Sequence, residues 1–115
     1  MGPCEAAIVV AIDGELGRLG PALQQALGSS YRVLPTTAAR EAQAAVLPAR
    51  LAVVDEYRAR CGRTLIVVYD EVRRDPTPFL EAAADDYVAH CSMGELAARI
   101  RAGMRRLRPR PISGR

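Results

Sequence analysis

Short apolar runs alternate with helically spaced apolar residues along nearly the whole chain, and this alternation restricts the fold more than any other feature. Ala6 to Ile12 is a continuous apolar run closed by Asp13-Gly14, the pattern of a strand buried on both faces of a parallel sheet. Leu16, Leu19, Leu23 and Leu27 then recur at helical spacing, with Pro21 suited to a first turn and Gly28-Ser29-Ser30 as a stop. Tyr31 to Leu34 reads as a second strand. Thr36-Thr37 predicts the cap of an Ala-rich helix reaching Val46 or Leu47 and stopped before Pro48. Arg50 to Val54 and Thr64 to Val68 read as the third and fourth strands. Asp75 before Pro76, or Thr77 before Pro78, opens a helix of about two turns. Tyr87 to Ala89 is a fifth strand. Ser92 with Glu95 forms a capping box, and Met93, Leu96, Ile100, Met104 and Leu107 line one face of a last helix.

Strands that alternate with helices imply an α/β fold with an open parallel sheet of five strands. Ligand and catalytic sites in such sheets gather at the carboxyl ends of the strands. Those ends are Asp13, Asp55, Tyr69-Asp70 and His90-Cys91.

The third crossover is unusually short on this reading. Glu56 to Arg63 supplies eight residues, where a parallel crossover takes a dozen or more. As a helix they would span about 12 Å, and extended about 26 Å, against a six-residue strand of about 20 Å. The third helix is therefore predicted to be missing or reduced. Leu51, Val53, Leu65 and Val67, or their alternates, would then form a poorly covered aliphatic face open to a partner.

Composition bounds the possible roles. With 115 residues the chain is one domain, 1–108, followed by a basic, Pro-rich tail or linker at 109–115. Half of the residues are apolar, and one Phe, four Tyr and no Trp make the core aliphatic. No stretch approaches the roughly 20 apolar residues of a membrane span. The first residues lack the basic region of a signal peptide, and Ala6 stands where a myristoylation site needs Ser or Thr. Cys4, Cys61 and Cys91 are scattered and odd in number, and His90 is the sole histidine, which disfavours a disulfide framework or a zinc site. Cysteine usage of this kind suits the cytoplasm. All sixteen cations are arginines, seven of them at position 99 or later, so residues 1–98 carry nine arginines against thirteen acids. The alkaline pI thus belongs to the C-terminal end.

The stretch "FLEAAADDYVAHCSMGELAARIRAGMRRL" resembles the closing third of a bacterial response-regulator receiver domain, in which an Ala-Ala-Asp-Asp-Tyr-like turn precedes the fifth strand and last helix. The preceding elements fall into register over roughly residues 6 to 108. The resemblance implies a flavodoxin-like doubly wound sheet of order 2-1-3-4-5. It also implies a phosphorylatable aspartate ending strand three, a position taken by Asp55. An acidic pair for Mg²⁺ is expected after strand one, but aligns with Ala11 and Ile12, with Asp13 one place late. The hydroxyl position is Tyr69, the lysine position is His90, and the proline after it is Cys91.

These departures have a chemical consequence. Phosphoryl transfer to a carboxylate gathers negative charges that a cation must offset, and Mg²⁺ is held mainly by carboxylates. Neither the acid pair nor a lysine is present. The expected protein is a degenerate, non-enzymatic pseudo-receiver with no cofactor and no resident metal, acting by protein binding. Its partners would be a second copy, another signalling protein or a fused output domain. Self-association is expected through Arg99, Arg101 and Arg105 facing Glu81, Asp85 and Asp86 about a two-fold axis. The alternatives are an active receiver phosphorylated on Asp55, a small-ligand sensor using the emptied strand-end crevice, and a nucleic-acid-associated regulator using the basic end. The last is disfavoured by the absence of interleaved aromatic residues. Asp13, Asp55 and Asp70 could also gather as a makeshift cation site.

Overall fold

A computed structural model of the chain describes residues 7–39 and 41–107. Cys4 and the tail 109–115 lie outside the described residues. Strand β1 (Ile8–Ile12) leads through a 3-10 segment (Gly14–Leu19) into helix α1 (Gly20–Leu27) and strand β2 (Tyr31–Pro35). Strand β3 (Ala44–Pro48), helix α2 (Leu51–Arg60), strand β4 (Leu65–Asp70), helix α3 (Thr77–Ala82), strand β5 (Asp86–Ala89) and helix α4 (Met93–Leu107) follow. All strand pairs are parallel and the sheet order is β2-β1-β3-β4-β5. This is the open parallel sheet that the alternation implies, in the doubly wound order that the receiver resemblance implies. Among the described residues no helix is long and apolar enough to cross a membrane.

The described residues carry one helix fewer than a full receiver pattern, but the omission falls one crossover earlier than expected. Residues 51–54, read as strand three, are the first turn of α2, and strand three is Ala44–Pro48. The Ala-rich helix expected from Thr36 does not form. The eight-residue crossover without a helix is Thr36–Gln43, and Ala49–Thr64 gives α2 ample length. The reason lies in the burial pattern. Val54 and Tyr57 are buried three residues apart and Cys61 is half-buried a turn later, which is helical spacing. Every residue of β3 is buried, as a central parallel strand requires.

A loop suffices between β2 and β3 because the sheet face beneath it is small. Ala11 and Ala45 are fully buried there, with Ala39 and Ala42 of the loop against the same cluster. The loop is also tied down. Gln43 accepts from the Val9 N–H through Oε1 at 2.8 Å and donates its own N–H to the Val9 carbonyl at 3.0 Å. Thr64 Oγ1 donates to the Ala42 carbonyl at 2.9 Å.

Two apolar layers enclose the sheet. On one face Val10, Ile12, Val46, Leu65 and Val67 pack under Leu16, Leu23 and Leu27 and under Leu96 and Ile100 of α4. On the other, Leu47, Ile66 and Val68 pack under Val54, Tyr57 and Phe79. The expected open aliphatic face is therefore absent. Leu65 and Val67 are buried under the first layer of helices, and their alternates Ile66 and Val68 under α2 and α3. Val53 is half-buried on α2, and Leu51 alone of the four stands exposed, at 42%.

The edge strand β2 is also covered. Gln24 of α1 donates Nε2 to the Tyr31 carbonyl at 2.8 Å and accepts from the Val33 N–H through Oε1 at 2.8 Å. Its amide thus takes the place of a neighbouring strand, which blunts an edge that could otherwise pair with another chain.

Candidate functional site at the strand ends

The carboxyl ends of β1, β3 and β4 open into a crevice of about 380 Å³. Three arginines and three acids from separate elements line it: Arg18 and Glu15 of the 3-10 segment, Arg50 ahead of α2, Asp70 at the end of β4, and Glu71 and Arg74 after it. Arg50 Nε lies 2.8 Å from Glu15 Oε2, and Arg18 pairs with Glu71. Both pairs bridge the crevice from the 3-10 segment, one to the start of α2 and the other to the loop before α3.

Asp70 is the buried member, 3% exposed at the end of β4. It accepts from Tyr87 Oη at 2.6 Å, from Arg74 Nε at 2.7 Å and Nη2 at 3.3 Å, and from the Val72 N–H at 3.2 Å. Burial pushes its carboxyl up, but the bonds from Tyr87, Val72 and Arg74 and the Arg74 charge outweigh that and hold it below the usual range. Burial, and then the bond to Asp70, pushes the Tyr87 phenol up. Tyr87 also stacks on Phe79 at 5.8 Å between ring centroids, so the phenol is fixed from both sides.

The residues aligned with receiver chemistry are dispersed. Asp55 sits on the exposed side of α2 and does not line the crevice. It does not end a strand because strand three stops seven residues earlier, at Pro48, and continues as Ala49-Arg50. The register pairs Pro48 with Tyr69, so the strand-three position beside the hydroxyl position carries no carboxylate. Ala11 and Ile12 are buried in the two layers. Asp13 caps the 3-10 segment, accepting from the Glu15 N–H at 2.9 Å. Tyr69 is half-buried at the crevice. His90 is exposed in the left-handed region, at φ 53°, which a histidine adopts more readily than most residues. Its N–H donates to the Asp70 carbonyl at 3.2 Å.

These side chains do not fit a magnesium site. Asp70 already has both oxygens bound by donors, Asp13 is a cap, Glu15 holds an arginine, and Asp55 is elsewhere. Among the described residues no three metal-type ligands converge. The makeshift cluster of Asp13, Asp55 and Asp70 is thus not assembled.

Four of the six charges expected to cross a dimer axis are engaged within the chain. Asp85 accepts from Arg58 Nη2 and from the Ile66 N–H, both at 2.8 Å. Arg99 lies 3.3 Å from Asp86 and 3.5 Å from Glu95, and Arg101 donates to the Ala26 carbonyl at 2.6 Å. Glu81 and Arg105 are exposed. Cys61 and Cys91 are free thiols, and burial, then the Glu95 charge, pushes the Cys91 thiol up and away from reactivity. Burial, followed by Cys61, pushes Tyr57 up to about 12.

Of the crevice residues, only Asp70 and Tyr69 were legible as strand-end groups. Arg18, Arg50 and Arg74 with Glu15 and Glu71 were not, since the pairs from the 3-10 segment join residues more than thirty positions apart. Asp70 and Arg74 stand four positions apart, the one pair of the three that is close in sequence.

No protein-family model and no curated relative matches the sequence. Solved structures do match by shape. HP1043, an orphan response regulator of H. pylori, is 17% identical with a TM-score of 0.74, over 88% of this chain and 99% of that one. The BeF3-activated receiver domain of DrrB, a Thermotoga maritima protein, is 16% identical with a TM-score of 0.72, over 86% and 98%. A CheY-like receiver domain protein from Methanospirillum hungatei is 12% identical with a TM-score of 0.71, over 88% and 96%. The sheet order, the flanking helices and these likenesses agree: the chain has the fold of a response-regulator receiver domain.

Proposed function

We propose that this chain is a degenerate receiver, a non-enzymatic cytoplasmic signalling module that acts by binding protein and does not depend on phosphorylation. The observation that carries this reading is the end of β3, where Leu47-Pro48-Ala49-Arg50 offers no acceptor carboxylate and sets a guanidinium beside the crevice. A phosphoryl group needs a nucleophilic oxygen in line and a cation to offset its charge. The crevice acids that remain are bound to arginines, and Asp55 stands outside it. The partner is another signalling protein or an output domain on the same polypeptide. Self-association belongs to the proposal as a weak contact that loosens with salt, because Arg99, Arg101, Asp85 and Asp86 are engaged internally and Glu81 and Arg105 are left to carry it. The test is incubation with acetyl phosphate and Mg²⁺, followed by intact-mass measurement. We expect no adduct, and no change of sedimentation in Asp55→Asn. A stoichiometric phosphate adduct that disappears in Asp55→Asn would overturn the proposal.

A further inference from the structure

A crevice that holds a divalent cation needs carboxylate oxygens free to coordinate it. This crevice instead receives guanidinium groups from three separate elements, Arg18, Arg50 and Arg74, which balance its three acids Glu15, Asp70 and Glu71. Its three ion pairs are not equivalent. Asp70 is buried and carries two further donors, so the Asp70–Arg74 pair is a fixed wall. Glu15 and Glu71 have side chains 47% and 55% exposed, and their partners Arg50 and Arg18 are 62% and 58% exposed. Exposed pairs of this kind hold weakly and exchange readily with solvent. Glu15 and Glu71 are thus removable occupants of two guanidinium groups that face one crevice.

We propose that the strand-end crevice is a non-covalent site for a small molecule bearing a phosphate or pyrophosphate group, gripped by Arg18 and Arg50 once Glu15 and Glu71 swing aside. The choice of anion follows from valence and shape. A monocarboxylate ligand would only exchange one carboxylate for another on one arginine. A phosphoryl group places several acceptor oxygens and more than one negative charge on a single centre, and so can engage both forks at once. The volume, about 380 Å³, falls in the range of roughly 300–1,000 Å³ common to small-ligand pockets, and carboxyl ends of parallel strands are where such ligands bind. The site would add a ligand input to the protein-binding role proposed above. Phosphodonor labelling tests that role separately, so either can fail alone.

The test is calorimetry and thermal denaturation of the full chain with inorganic pyrophosphate, free of divalent metal and at constant ionic strength. Saturable binding with a raised Tm is expected. The diagnostic result is a gain from removing acids. Glu15→Gln/Glu71→Gln should bind pyrophosphate about tenfold more tightly, and Arg18→Gln/Arg50→Gln at least about tenfold more weakly, one such contact being worth about a decade in affinity. All four side chains are exposed, so the variants should fold, and circular dichroism checks this. No pyrophosphate response in either the wild type or Glu15→Gln/Glu71→Gln would overturn the proposal. Undiminished binding in Arg18→Gln/Arg50→Gln would overturn it as well, by placing the anion away from these two guanidinium groups. Acetate binding as tightly as pyrophosphate would refute the phosphate class.

Discussion

Tyr87 donates a 2.6 Å hydrogen bond to Asp70, joining the middle of β5 to the end of β4 across the rim of the strand-end crevice. The same phenol oxygen accepts from the Arg74 N–H at 3.1 Å, so one hydroxyl fixes both the buried carboxylate and the loop that leaves β4. A buried carboxylate costs free energy unless its oxygens are matched by donors, and here two side chains and one backbone N–H match them.

Tyr87→Phe should therefore destabilise the fold by about 1.5–3 kcal/mol at neutral pH, the usual range for a lost hydrogen bond to a charged group. The sign of the pH dependence follows from Asp70, whose carboxyl is held below its ordinary value in the folded chain. Such a group adds stability that is fully present above the unfolded value of about 3.9 and is lost as pH falls through the folded value. The gap between wild type and Tyr87→Phe should narrow below about pH 4. Denaturant unfolding at a series of pH values measures it. A gap that stays constant down to pH 3 would separate the hydrogen bond from Asp70 ionisation.

Gln24 offers a second test, because its amide serves the outer edge of β2 in place of a strand. Gln24→Leu keeps the helix propensity and the size but leaves the Tyr31 carbonyl and the Val33 N–H without that partner. Gln24 Nε2 also donates to the Gly28 carbonyl at 3.1 Å, and a loss of about 1–3 kcal/mol is expected from the three missing bonds. The freed edge should also promote edge-to-edge association, visible by light scattering as concentration rises. Stability and scattering both at the wild-type level would show that water serves the edge equally well.

The reading from sequence succeeded where local and long-range signals agreed, and failed where only apolar content was available. The N-cap half of the expected capping box forms, with Ser92 Oγ accepting from the Glu95 N–H at 3.1 Å, and Leu96 and Ile100 are buried on the face their spacing marks. Thr77 does open α3, and Asp75, the other expected start, accepts from its N–H at 3.0 Å. Between residues 36 and 60 the periodicity is ambiguous. Ala44–Leu47 reads equally as the end of an Ala-rich helix or as a buried strand, and residues 50–54 equally as a strand or as a first helical turn. One crossover of eight residues does lack a helix, but it joins β2 to β3, because strand three is Ala44–Pro48. The displacement of Asp55 from strand end to helix surface follows from that position of strand three. The crevice arginines were hidden for a different reason, because two of the three ion pairs exist only after β1, β3 and β4 are side by side.

Gly103 provides the last test, on the packing of α4 against the sheet. It is buried in the helix, and a Cβ built there would lie 2.6 Å from Leu65 Cδ2 and 2.9 Å from Cδ1. Real Cβ contacts are not that short, so any side chain at 103 must displace Leu65 or lift α4. Leu65 is itself 1% exposed and packed in the main core, which leaves it little room to move. Gly103→Ala gains about 1 kcal/mol of helix propensity and loses a comparable or larger amount to overpacking. Gly103→Val adds a branched side chain to the same clash and should destabilise by about 2 kcal/mol or more. The cause can be isolated by a double-mutant cycle. Leu65→Ala alone should cost about 2–5 kcal/mol by opening a cavity. If the clash is with Leu65, Gly103→Val should cost far less, or even stabilise, in the Leu65→Ala background, because the new methyl groups fill that cavity. Strict additivity of the two substitutions in urea unfolding would show that α4 does not rest on β4 at this point.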